Sequence, residues 1–95
     1  MPNTRQAKKR MRRDAKRRLR NRYHLSRMKT YIRNFKKLIA EGRLEEAKEY
    51  LPKVISVIQH TASKGVIHKN EASRRCSRVQ KLLNQALAKA QESNQ

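Results

Sequence analysis

The sequence has 95 residues, with 26 Lys plus Arg against seven Asp plus Glu and a formal charge of +19. This length holds one domain at most. At 36% apolar residues, with no Trp and one Phe, it leaves little for an enclosed catalytic pocket, and so much like charge calls for a polyanionic partner.

Two Gly and two Pro exclude collagen-like and Gly-rich linker classes. Cys76 is the single cysteine, so neither an intramolecular disulfide nor a Cys-based zinc site can form, and a reducing compartment is consistent with this. No apolar run exceeds four residues, too short for a membrane span or a signal-peptide core. The Arg-rich, acid-poor opening has the look of a transit peptide. It runs straight into helical patterning, however, and reads as mature protein.

Three amphipathic segments follow in chain order. Leu25, Met28, Ile32, Phe35 and Ile39 step by three and four, which places them on one helical face. Ala7, Met11, Ala15, Leu19 and Tyr23 extend that face backward as a thinner, drifting strip. A helix from about Asn3 to Glu41, stopped by Gly42 as a left-handed cap, would be ~55 Å long. Its N-terminal half must then project beyond a domain of this size. In the second segment Leu44, Ala47, Leu51, Val54, Ile58 and Ala62 share a face, with Gly65 at the end. Pro52 lies inside it, where the missing donor and the crowded Lys48 carbonyl predict a kink or a restart. The third carries Ala72, Cys76, Val79, Leu83, Ala86 and Ala90. Asn70 is its candidate N-cap and Glu71 suits its first turn. Glu92 to Gln95 lack apolar anchors and should fray. With no alternating strand pattern, the fold class is all-α: a three-helix bundle with a long, projecting basic N-terminal helix and short turns near Gly42 and Gly65. Residues 1–95 form one domain, with 1–24 a basic arm continuous with helix one and 25–92 the bundle.

Charge is distributed unevenly along this framework. Residues 1–30 hold thirteen of the 26 bases and a single acid, Asp14, whereas 31–60 hold six bases and four acids. Arg5, Lys8, Lys9, Arg10, Arg12, Arg13, Lys16, Arg17, Arg18, Arg20 and Arg22 crowd the arm, and Arg27 and Lys29 continue the set. At ~100° per residue the arm's cations surround most of the helix. A basic tail disordered alone is one reading. A membrane-surface helix needs a wider apolar face than this arm has. Insertion among RNA helices suits charge on every side, and a tail disordered alone but helical when bound combines the first and third readings. Arg predominates, favouring planar bidentate phosphate contacts and base stacking. Phosphate contacts mainly position, so selectivity must come from elsewhere.

A second basic group, Lys64, His68, Lys69, Asn70, Arg74, Arg75, Arg78 and Lys81, surrounds the start of helix three. A helix N-terminus there offers free backbone N–H groups to phosphate. Asn70 serves as cap or RNA contact; His68 reads as a neutral turn residue whose imidazole could reach phosphate or ribose. Elsewhere the sequence offers no catalytic arrangement. His24, His60 and His68 lack metal-ligand spacing, and two glycines cannot build a nucleotide-binding loop. Glu41, Glu45, Glu46 and Glu49 suit ion pairs such as Glu49–Lys53, and Cys76 suits a small core position. No enzyme, metal or cofactor is expected.

Thr61 to Asn84, TASKGVIHKNEASRRCSRVQKLLN, resembles the signature stretch of the family of the twentieth protein of the bacterial small ribosomal subunit. The Lys64-Gly65-Val66-Ile67-His68-Lys69-Asn70 core carries most of the likeness. Asn3, Ala7-Lys8-Lys9-Arg10 and Tyr31-Ile32-Arg33 leading to Phe35 add to it, so that it covers essentially the whole chain. Glu71 and Cys76 stand where many relatives carry basic residues, which argues against phosphate contacts at either. The resemblance implies a cytoplasmic ribosomal protein that binds 16S ribosomal RNA early in assembly. Its partners would be the 5′ domain, the long helix of the 3′ minor domain and other small-subunit components, with no membrane and no small-molecule substrate. Composition alone leaves two rivals: an architectural DNA-binding protein, and a helical module whose stripes serve a partner coiled coil.

Overall fold

A computed structural model describes residues 5–93. They form three helices, α1 (Arg5–Ala40), α2 (Leu44–Ser63) and α3 (Lys69–Ser93), with no strand among the described residues. The expected start near Asn3 lies outside them, and α1 ends at Ala40, one residue before the expected Glu41. Glu92 and Ser93 continue α3 where fraying was expected.

Both turns are built the same way. Gly42 has φ +77° and Gly65 φ +75°, the left-handed conformation that glycine adopts without a Cβ penalty. At the first turn the Gly42 N–H donates to the Ile39 carbonyl at 3.1 Å and the Arg43 N–H to the Leu38 carbonyl at 2.9 Å. At the second, Gly65 N–H donates to Ala62 at 2.9 Å and Val66 N–H to Thr61 at 3.2 Å. These are paired Schellman bonds, which satisfy the last carbonyls of each helix and reverse the chain.

The start of α3 corrects the expected cap. The helix begins at Lys69, so Asn70 lies inside the first turn. His68 caps it instead: its carbonyl accepts from Ala72 N–H at 3.0 Å, and its Nδ1 accepts from Asn70 N–H at 3.1 Å. The imidazole nitrogen thus does the work usually given to a Ser or Asp oxygen. Helix α2 runs unbroken through Pro52, with neither of its ends there, so no restart occurs. The acids also pair differently from expectation. Arg43 holds Glu46 at 2.6 Å and Glu41 at 3.3 Å, and Lys48 lies 3.5 Å from Glu45; Glu49 and Lys53 form no such pair.

Helix α2 is the common partner of the other two, which barely touch each other. Met28 and Phe35 of α1, Ala47, Val54, Val57 and Ile58 of α2, and Ala72, Val79 and Leu83 of α3 make the buried core. Thr61 is also buried, because its hydroxyl donates to the Val57 carbonyl at 2.8 Å and so needs no water. Val57 and Thr61 lie beside the expected α2 stripe rather than on it. They are buried because α2 is covered from two sides. Beyond the core the molecule is extended, 73 Å in its longest dimension with a radius of gyration of 18.8 Å, against about 13 Å for a compact chain of 100 residues.

Candidate nucleic-acid interface

The N-terminal half of α1 accounts for that extension. From Lys8 to Arg20 every side chain is exposed, and packing against α2 and α3 starts only with the turn that contains Leu25. All eleven arm cations are solvent-facing. The strip between them is uncovered as well, Met11 being 72% exposed, Leu19 66% and Tyr23 63%. No part of the bundle folds back on it. An isolated helical segment of this composition gains little from packing, so its long exposed face is available to a ligand on several sides at once.

At the root of the arm the environment changes. Arg27 is half-buried and its guanidinium lies 5.7 Å from the Tyr31 ring centre, a cation–π contact. Tyr31 in turn stacks on Tyr50 of α2 at 5.6 Å and 12°. One turn earlier, the His24 ring meets His60 of α2 edge-on at 5.6 Å and Tyr23 at 5.4 Å. His24 is driven below the ordinary imidazole pKa first by loss of solvent and then by His60, Arg20, Lys64 and Arg27. Lys64, placed by sequence in the second basic group, therefore sits beside the arm. Lys29 is exposed on the outer face of α1.

The remaining expected residues ring the start of α3. Lys64, His68, Lys69, Asn70, Arg74, Arg78 and Lys81 are exposed. Glu71 modifies this group more than its position in the sequence suggests. Its carboxylate lies 3.8 Å from Arg74 and 3.1 Å from the Arg75 Nε, and Arg75 is half-buried. That Nε lies within ion-pair range but off the line of its N–H, which leaves the atom without a hydrogen-bond partner. Two of the group's five arginine and lysine side chains on α3 are thus partly neutralised, while among the described residues Lys69, Arg78 and Lys81 are in no ion pair. The Asn70 backbone N–H is occupied by His68, so one of the helix's free donors is already taken.

Sequence reasoning set His24 and His60 aside because they lack metal-ligand spacing, and missed that they meet across α1 and α2. The available signal was their spacing from cations, Arg20–His24 and His60–Lys64, each four apart and so on one helical face. Cys76 is half-buried and its thiol is pushed up by burial, the state of a packing residue rather than a nucleophile. No helix of the described residues is long and apolar enough to cross a membrane.

Comparison with known proteins gives the family. A family model described as Ribosomal protein S20 matches residues 2–84. The small ribosomal subunit protein bS20 of Aquifex aeolicus (strain VF5) is 75% identical over 91 residues, covering 96% of this chain and 97% of that protein. The protein of the same name from Hydrogenobaculum sp. (strain Y04AAS1) is 67% identical over 88 residues, or 93% and 95% of the two chains. That of Dictyoglomus thermophilum is 47% identical over the same share of each.

Proposed function

The chain belongs to the ribosomal protein S20 family, a family of structural proteins of the small subunit rather than enzymes, and from that membership we propose that it binds 16S ribosomal RNA directly and helps it fold and assemble. Family membership places it on the cytoplasmic ribosome among RNA and other small-subunit components. The observation that carries the reading is the arm: eleven cations, all exposed, on a helix that projects from its own core.

Each RNA phosphate that meets a cation releases condensed counterions, which drives binding at low salt. A helix charged on most of its circumference gains most when RNA surrounds it, because cations facing away from a single duplex would stay in water. In that setting α1 screens the repulsion between RNA segments and holds them at a fixed separation of about a helix diameter, ~10 Å. Residues 1–24 act as the arm, and residues 25–92 fix its direction through the contacts of Met28 and Phe35 with α2. Lys64, Lys69, Arg78 and Lys81 hold a further stretch of backbone beside the arm's root. The RNA segments proposed for the two surfaces are those the family resemblance implies, the 5′ domain and the long helix of the 3′ minor domain.

The test is competition binding at moderate salt. Small-subunit ribosomal RNA should outcompete duplex DNA of equal length at least tenfold. Equal competition would favour an architectural DNA-binding role and overturn the proposal.

A further inference from the structure

Four cations of the folded bundle pair with acids. Arg43 has Glu41 and Glu46, Lys48 has Glu45, and Arg74 and Arg75 share Glu71. The junction where α1 leaves the bundle is different. There α1 contributes Arg20, His24 and Arg27, and the end of α2 contributes His60 and Lys64. The two imidazoles are in edge contact at 5.6 Å. Every one of these neighbours disfavours a proton on His24, and no carboxylate of the described residues acts on it. Tyr23, at 5.4 Å, adds an aromatic wall; α3 contributes no group to the set acting on His24. Folding brings these groups together against their mutual repulsion. A cluster of this kind, built by two helices with no carboxylate of the described residues acting on His24 at its centre, is the complement of an anion.

We propose that Arg20, His24, His60 and Lys64 form a binding site for one backbone phosphate of the RNA at the junction of α1 and α2. This rests on the RNA-binding reading above and adds residues that neither basic group contained. Arg20 and Lys64 supply the fixed charges that draw the phosphate in, with a planar fork from one and a point charge from the other. His24 and His60 sit between them, each with a ring N–H that can donate to a phosphate oxygen. Arg27 is held over Tyr31, closing the inner side and keeping the phosphate at the rim. Because the site joins two helices, a phosphate seated there fixes the angle at which the arm leaves the bundle.

A proton balance follows. In the free protein loss of solvent, and after it the neighbouring cations, hold His24 below its ordinary pKa. A phosphate beside the His24 imidazole opposes the field of those cations, so binding takes up a proton there, worth up to about tenfold in affinity per pH unit between its free and bound pKa values. The sign is fixed: affinity rises as pH falls.

The experiment measures binding of the full chain to small-subunit ribosomal RNA at constant ionic strength at pH about 8 and pH about 6. The native protein should bind roughly tenfold tighter at the lower pH. The double variant His24→Gln, His60→Gln should keep its binding at the higher pH and lose most of the gain. His68→Gln, whose imidazole lies outside the cluster, should retain the gain. Should the double variant lose its helical circular-dichroism signal, His24→Gln alone carries the test and should lose most of the gain. In the native protein the imidazole resonances of His24 and His60 should move on adding RNA, and in the same direction but more weakly with inorganic phosphate alone. A gain that survives in the double variant, one that disappears in His68→Gln, or His24 and His60 resonances that RNA leaves in place would each overturn the site. Absence of RNA binding at both pH values would instead overturn the RNA-binding reading itself.

Discussion

If RNA surrounds the arm, cations on opposite sides of α1 should contribute separately to its salt dependence. At ~100° per residue, Lys9, Arg13, Lys16 and Arg20 cluster on one side of the helix and Lys8, Arg18 and Arg22 on another, their centres about 150° apart. All seven are exposed, and Asp14 is the only acid near them, so replacement by Gln removes charge without disturbing packing. Each phosphate contact contributes roughly −0.7 to −0.9 to the slope of log affinity against log salt. Replacing the first set should therefore flatten the slope by about 3, and replacing the second by about 2 to 2.5. Over a fourfold rise in salt, a slope smaller by 3 means about sixty-fold less affinity lost. Filter binding or fluorescence anisotropy of the full chain with 16S RNA across a salt series reads these slopes directly. If only one set matters, the arm lies on one RNA face and insertion between RNA segments is wrong.

The framework makes its own predictions. Phe35→Ala removes a fully buried ring and should cost ~3–5 kcal/mol, read as a large fall in the thermal midpoint; a loss below 1 kcal/mol would mean the bundle does not rest on this core. Gly42→Ala and Gly65→Ala should each destabilise by about 1–2 kcal/mol through the left-handed backbone alone, because a Cβ at either position meets nothing within 4 Å. His68→Ala should weaken α3 by ~0.5–2 kcal/mol through loss of its cap, whereas Asn70→Ala should leave denaturant stability nearly unchanged; the reverse order would return the cap to Asn70.

The sequence made the three helices readable because each has a strict step of three and four through its apolar residues and a glycine at each reversal. Gly42 and Gly65 carry the Schellman bonds that their positions suggested. The cap of α3 was misread because His is a weak statistical choice for that role. Asn70, two positions later, is a strong one, and only the Nδ1 geometry decides between them. Pro52 could not be settled by pattern, since losing one donor is tolerated when both flanking turns are packed, as Ala47 and Val54 are. Of the candidate interface, the arm was legible from charge density. The pairing of Glu71 with Arg74 and Arg75 depends on rotamers. The meeting of His24 with His60, 36 residues apart in the chain, depends on the register between two helices, which no local pattern encodes.

Chemical footprinting of 16S ribosomal RNA with the full chain bears most directly on the role of the projecting helix. Protection should appear on at least two RNA segments distant in sequence, and deleting residues 1–22 should remove it from them together. Protection confined to one segment, or unchanged by the deletion, would contradict an arm that binds between RNA helices.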